Sequence, residues 1–266
     1  MKVIDCFIFY NELEMLSYRL CTLSQVVDTF ILVEATHTHS GVPKPLFFAD
    51  NKDKFAAFAN KIVHVVVDDF AHLAPTIDFT KDEQWVNELH QRDCIKKGLN
   101  QLDLQGDDVL VISDLDEIPD RDTLYKIKNR IISVTCHKLA MDFYYYNLNS
   151  RIRDTWGAAK VLTVGLYRSM NLSCSQIRLY ECPLLPRGGW HLSYFGDAGF
   201  IKNKIESFAH QELNTDMIKN NIETQMKSTK DVYSRPYIQM DRIPISANKY
   251  LPHDYETYLN RFILYR

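Results

Sequence analysis

The sequence predicts an α/β protein built on a doubly wound, mostly parallel sheet. Two observations carry this. Short apolar runs of strand length alternate with helix-period segments through the first 120 residues, the pattern of βαβ units. The runs are continuous Val/Ile/Leu/Phe rather than alternating, as in strands buried on both faces. Composition agrees: 266 residues, 46% apolar and 24% charged, is ordinary globular usage and excludes disorder, collagen or coiled coil as the main state. With no repeat, low-complexity linker or composition break, residues 1–266 read as one domain with an elaborated second half after residue 120.

Val3 to Phe9 is the first strand run. Asn11-Glu12-Leu13-Glu14 then reads as a capping box, an N-cap with an acid three positions on. Leu13, Leu16, Leu20 and Leu23 follow at spacings of 3, 4 and 3, one apolar helical face. Thr29 to Val33 and Ile62 to Val67 are the next strands, separated by a helix carrying Phe55 and Phe58. A longer helix covers about Lys81 to Leu102, and Asp108 to Ser113 is the fourth strand. Beyond it lie an aromatic strand over Met141 to Leu148 (Phe143, Tyr144, Tyr145, Tyr146), a strand over Val161 to Tyr167, and Gly188-Gly189-Trp190-His191 leading into Leu192 to Phe195. A helix with Ile201, Ile205 and Phe208 follows. Near the end Tyr255, Tyr258, Phe262 and Tyr265 recur at helical spacing, a stripe for packing on the domain or, alternatively, for docking on a membrane surface or partner chain.

Charge and cysteine usage bound the partners. The net charge is −3 and no basic run exceeds Lys96-Lys97, so the basic stripe of a nucleic-acid binder is missing. The six cysteines form no C-x-x-C pair, MKVIDCFIFYNE does not read as a signal peptide, and no window approaches a transmembrane span. The expectation is a soluble, reduced, cytoplasmic protein.

Ligands of such sheets bind outside the carboxyl ends of the strands. Functional residues are therefore expected at Asn11 and Glu12, Glu34 to Gly41, Asp68 and Asp69, and Asp114 to Glu117. The sharpest signal is VLVISDLDEIPD, residues 109–120, where an apolar strand ends in Asp114, Asp116 and Glu117 before a helix start at Ile118-Pro119. Three carboxylates at one strand end repel unless a cation neutralises them. Hard oxygen donors of this kind suit Mn²⁺ or Mg²⁺ bridged to substrate phosphates. The plainer reading is a polar strand end whose acids cap the next helix, a task Asp120 and Asp122 could do alone. Two enzyme classes place D-x-D after an apolar strand. Haloacid-dehalogenase-type phosphatases put it on the first strand, with its first Asp as nucleophile, whereas nucleotide-sugar transferases of the GT-A type put it about a hundred residues in. Its position here favours the transferase; a phosphatase, a nucleotide-sugar hydrolase or a non-catalytic sugar-binding relative are the alternatives.

Four ordered blocks make the reading specific. IDCFIFYNELEMLSYRL, ILVEATHTHSGVPKPLFF, VLVISDLDEIP, and GGWHLSYFG followed by IKNKIESFAHQELN together resemble glycosyltransferase family 17, the β-1,4-mannosyl-glycoprotein β-1,4-N-acetylglucosaminyltransferase-like proteins, over most of residues 1–215. The resemblance implies a GT-A fold, a UDP-sugar donor (UDP-N-acetylglucosamine), a glycan acceptor, a divalent metal and inversion at the anomeric carbon. It assigns residues 1–120 to a nucleotide-binding half and 121–266 to an acceptor half. It makes Asp116 the direct metal ligand, with Asp114 toward the ribose or a metal-bound water, Glu117 in support, and His191 on the metal or diphosphate. Asn11, Glu12, Glu34 and Thr36 would line the nucleotide pocket, and Arg92 would reach the diphosphate or simply pair with Glu88. His37 and His39 read as a solvated loop, and His210 with Glu212 as facing the cleft. Asp142, Asp197 and Glu212 all stand open as the general base that inverting transfer needs. Trp190 and Tyr144 to Tyr146 suit stacking on sugar faces, with core packing as the alternative for the tyrosines.

Overall fold

The computed structural model describes residues 1–266. Strands β1 (Val3–Phe9), β2 (Thr29–Ala35), β3 (Ile62–Val67) and β4 (Val109–Asp114) form a parallel half-sheet in the order β3-β2-β1-β4. Alternation within β1 sorts its side chains. Val3, Phe7 and Phe9 face helix α1 (Leu13–Leu23) through Leu16, Leu20 and Leu23. Ile4 and Cys6 face α3 (Ile95–Leu99), which continues from α2 (Glu83–Asp93). Both faces of the sheet are thus covered, which is why these strands lack polar alternation.

The second half extends and caps this sheet. Short β5 (Glu117–Pro119) leads to α4 (Arg121–Lys128), β6 (Cys136–Tyr145), β7 (Ser150–Trp156) and β8 (Lys160–Thr163). β8 joins antiparallel to β4 and passes the sheet on to β6, β7 and β10 (Met240–Arg242), so the whole sheet is mixed around its parallel core. Helices α5 (Val164–Met170) and α6 (Cys174–Leu179) precede β9 (Leu184–Ser193). Helices α7 (Ala198–Ser207) and α8 (Asp216–Ser228) follow, their isoleucines 201, 205, 218 and 222 packing under Tyr145, Tyr146 and Tyr194. β9 decides where the site forms. It lies parallel to β6, and its end pairs antiparallel with β5, placing Glu117 opposite His191 and Ile118 opposite Trp190. Gly188 and Gly189 permit that approach: a Cβ on Gly189 (φ +135°) would sit 2.0 Å from the Ile118 carbonyl oxygen.

Five local expectations are corrected. The capping box is not formed: α1 starts after Glu12 with no side-chain cap, and the Asn11 amide donates to Asn203 instead. The segment with Phe55 and Phe58 is kinked 3-10 turn over Ala49–Lys61, not an α-helix. The long helix divides at Cys94 into α2 and α3. Ile118-Pro119 is strand because Ile118 is buried beneath β9, and α4 begins beyond it, capped by Asp120 on the amide of Asp122. The strand at Val161 stops at Thr163, whose side chain caps α5. The tail forms α9 (Tyr255–Tyr258) and a 3-10 turn (Asn260–Phe262), and Tyr255 and Phe262 pack on the main core. No helix is long and apolar enough to cross a membrane.

Candidate functional site

The acidic turn after β4 is built around a buried cation. Arg19 on α1 is wholly buried with Asp5 on β1, donating to both its carboxylate oxygens at 2.7 and 2.8 Å. The same guanidinium donates to Ser113 Oγ and to the carbonyls of Asp114, Leu115 and Glu117. One side chain thereby fixes the backbone from 113 to 117. Around this turn each acid meets its own basic partners. Arg92 from α2 and Arg178 from α6 take the two oxygens of Asp114, at 2.5 and 2.6 Å. Glu117, wholly buried, accepts from Arg178, from the Asp114 amide and from the Trp156 indole. Asp116 accepts from Lys204 on α7 at 2.9 Å, and its other oxygen lies 3.5 Å from His191 Nε2.

Charge compensation sets the ionisation. Burial raises the Asp114 carboxyl, but Arg178 and Arg92 outweigh it and hold it down at about 2. Burial likewise opposes ionisation of Asp116, and Lys204 and His191 override it, leaving the group far below the usual carboxylate range. Lys204, also near Glu12 at 3.2 Å, is correspondingly held protonated against its own burial.

These groups open on a cavity of about 400 Å³ at the carboxyl ends of β1, β2 and β4. Glu12, Asp114, Asp116 and His191 line it together with Tyr145, Trp156, Tyr194 and Arg235. His37, His39 and His210 also reach it, so the two loop histidines are not merely solvated. His191 is stacked flat on Phe143 at 4.4 Å and packed against Trp156, which fixes its ring. Its Nδ1 is buried without a partner.

A divalent ion can be tested against this geometry. Asp116 Oδ1 and His191 Nε2, 3.5 Å apart in the cavity wall, are close to the separation of adjacent ligands at metal–ligand distances of about 2.0–2.2 Å. The carboxylate suits a hard ion such as Mn²⁺ or Mg²⁺, and the imidazole a softer divalent ion. Asp116 through Oδ1 and His191 fit the group, with Lys204 on the other Asp116 oxygen; Asp114 and Glu117 spend both their oxygens on arginines, the indole and a backbone amide.

The other sequence-predicted residues divide sharply. Glu34 is wholly buried, accepting the amides of Phe48 and Ala49 and pairing with His64, so it organises the next segment rather than a ligand. Thr36 bonds His37 and the Val67 carbonyl and stays outside the cavity lining. Asn11 is also outside it. Arg92 is buried between Glu88 and Asp114, so it holds the turn instead of reaching a ligand. Trp190 is fully buried, donating to the Tyr250 carbonyl, and cannot stack on a sugar; Trp156 is the tryptophan of the cavity. Tyr144 and Tyr146 are core, and Tyr145 alone of the three lines the cavity. None of the three acids left open as base is in the lining. Asp142 pairs with Arg151 in a separate cavity. Asp197 caps α7 on the Phe200 amide. Glu212 is largely exposed and binds His210 Nδ1 at 2.6 Å.

Sequence reasoning missed Arg19, Trp156, Arg178 and Lys204. Arg19 carried a signal: a charged residue three positions after Leu16 and one before Leu20, inside an apolar helix face, needs a buried partner. Arg178 and Lys204 had none, because they reach the turn only through tertiary packing. A further cavity cation, Lys44, has no carboxylate partner; burial presses it down to about 8, with Glu34 and Glu12 pulling upward.

Comparison with known proteins gives the family of the chain. The sequence model described as "Glycosyltransferase family 17" matches residues 1–234. Over 131 residues the chain is 30% identical to the "Beta-1,4-mannosyl-glycoprotein 4-beta-N-acetylglucosaminyltransferase" of Rattus norvegicus, covering 48% of this chain and 23% of the rat protein. The proteins of the same name from Homo sapiens and Mus musculus are 30% identical over the same length, covering 24% and 23% of each. The aligned segment spans about a quarter of these relatives.

Proposed function

The chain belongs to glycosyltransferase family 17, and on that premise we propose that it is a metal-dependent, inverting transferase of GT-A type. Its donor would be a UDP-sugar, UDP-N-acetylglucosamine, and its acceptor a glycan hydroxyl. The observation carrying this is the cavity at the carboxyl end of β4, where Asp116 faces His191 beside an acidic turn locked by Arg19. In the reaction the acceptor oxygen bonds to the anomeric carbon from the face opposite the diphosphate. The old carbon–oxygen bond breaks, UDP departs with its electron pair, and the hydroxyl proton passes to a base. Asp116 and His191 would hold Mn²⁺ or Mg²⁺, which when bound supplies positive charge for the leaving diphosphate. Arg178 and Arg92 keep Asp114 ionised and oriented as an acceptor for a donor hydroxyl. Tyr145 and Trp156 offer ring faces to a sugar. For the base we assign His210: Glu212 binds its Nδ1 and Trp85 packs edge-on at 4.5 Å, leaving Nε2 to accept the proton. Glu212 is then a positioning residue. Asp114 is poorly suited to be a phosphatase nucleophile, since both its oxygens are held by arginines.

The test is thermal denaturation against a panel of nucleotides and nucleotide-sugars, with and without Mn²⁺. A ligand at 100 times its Kd adds about 2.7 kcal/mol. A Mn²⁺-dependent shift with UDP and one UDP-sugar, lost in Asp116→Asn, is the expected result. Full folding with no shift from any nucleotide would overturn the reading.

A further inference from the structure

Outside the cavity, the far side of α2 carries a second cluster that the transfer reaction does not use. His90 and Cys94 stand one turn apart on this helix and its end, so they share a face. Asp69, in the loop after β3, meets them there. His90 Nε2 lies 2.8 Å from Asp69 Oδ1 and 3.8 Å from Cys94 Sγ, and the three donor atoms all fall within 4.8 Å of one another.

Two chemistries could use a Cys, a His and an Asp. A nucleophile relay divides the two ring nitrogens, one toward the thiol and the other toward the carboxylate. Here a single nitrogen faces both partners. Three donors therefore converge on one point, as ligands do around an ion. Bonds of about 2.3 Å to sulfur, about 2.05 Å to nitrogen and about 2.0 Å to oxygen in a tetrahedral zinc site put N and S about 3.5 Å apart and N and O about 3.3 Å apart. The observed 3.8 and 2.8 Å lie on either side of these values, within a small rotamer adjustment. Thiolate, imidazole and carboxylate together select a borderline ion over the hard Mn²⁺ or Mg²⁺.

The surroundings agree. Cys94 is buried, whereas His90 and Asp69 are partly exposed, so the fourth position opens to water. Phe70 packs edge-on to the His90 ring at 6.2 Å and limits its rotation. Lys97 lies 3.5 Å from Asp69 Oδ2 and also beside the Cys94 thiol, where its charge favours the thiolate, and it leaves Oδ1 to the ion.

We infer that Asp69, His90 and Cys94 form a zinc-binding site distinct from the Asp116 cavity. Its place in the fold gives it a structural consequence. Residues 90 and 94 lie on the side of α2 opposite Glu88, which lines the cavity, and Arg92, which braces Asp114 beside it. An ion there ties the helix that carries them to the loop after β3.

The experiment titrates chelator-stripped protein with Co²⁺, a spectroscopic substitute for Zn²⁺. One equivalent should give the visible bands of a tetrahedral ion and a thiolate-to-cobalt charge-transfer band, both erased by one equivalent of Zn²⁺. Cys94→Ser should abolish the charge-transfer band. Asp69→Asn, an exposed position that leaves the core untouched, should weaken binding by at least about tenfold. Asp116→Asn should change neither, which separates this site from the transferase reading. A wild-type spectrum without the charge-transfer band, its persistence in Cys94→Ser, or unchanged affinity in Asp69→Asn would overturn the assignment.

Discussion

Arg19 offers the most searching test of how the site is built. Replacing it with Met keeps an unbranched chain of similar length but removes six hydrogen bonds: two to Asp5, one to Ser113 Oγ and three to the carbonyls of Asp114, Leu115 and Glu117. Asp5 is left wholly buried without a counter-charge, a loss of about 3–5 kcal/mol. Three carbonyls losing their donor add about 1 kcal/mol each. The sum, about 6–8 kcal/mol, rivals the entire stability of an ordinary domain, about 5–15 kcal/mol, so Arg19→Met should be largely unfolded in the cold or in mild urea. The double variant Asp5→Leu/Arg19→Met removes the stranded charge and should regain about 3–5 kcal/mol, since apolar replacement of a buried pair is often neutral. It does not restore the carbonyl anchors. Urea unfolding should therefore show a folded protein, while the Mn²⁺-dependent thermal shift with UDP is lost. The reasoning fails if Arg19→Met costs less than about 1 kcal/mol, or if the double variant is no more stable than the single.

Three further outcomes follow from the same geometry. Asp114 has its folded-state carboxyl depressed from 3.8 to about 2, so its contribution is present above about pH 4 and lost as pH falls toward 2; Arg178→Gln should flatten that limb of the urea midpoint plotted against pH, and an unchanged limb would contradict the assignment. Lys44 is a cavity cation held at about 8, so if it meets the donor diphosphate, kcat/KM for donor should fall as pH rises through 8; Lys44→Gln should lower kcat/KM by about ten- to a hundredfold and erase the limb, whereas an unaltered profile would exclude the contact. Gly189→Ala drives a Cβ into the Ile118 carbonyl and should cost at least about 4 kcal/mol, or about 8–16 °C in Tm; calorimetry showing a loss under 3 °C would mean that β5 and β9 can part cheaply.

The legible part of this protein was its parallel half. β1, β2 and β4 announce themselves because strands buried on both faces must be apolar nearly throughout, and the D-x-D turn because three acids ending such a strand need an explanation. What escaped was set by partners distant in sequence. Glu34, at a strand end, is consumed by two amides and His64, and Arg92, on the helix before the D-x-D strand, takes the Glu88 pairing that its i, i+4 spacing offers and adds Asp114, a partner that no spacing announces. Trp190 looked like a sugar platform beside His191, but successive residues on a strand point to opposite faces, and only one of the pair can meet the cavity. Lys204 and Arg178 could not be found by spacing, because their positions matter only once α6 and α7 have docked.

The wiring of charge in the turn has a consequence for the order in which the chain is made. Glu117 and Asp116 receive their cations from residues 61 and 88 positions further along. At about 5–20 residues per second, a ribosome leaves Asp116 and Glu117 without their cations for about 3–18 seconds, although Arg92 already stands ready for Asp114. Through that interval the nascent first half holds its strand pattern but not its site, with Arg19 and Arg92 as the only cations available to an acidic tip that later takes two more. Cutting the gene after β5 would preserve that state permanently: such a fragment would own every acid of the motif and neither Arg178, His191 nor Lys204. The two halves are therefore a single electrostatic unit, and shuffling either one into another protein would separate the charges from the groups that let them be buried.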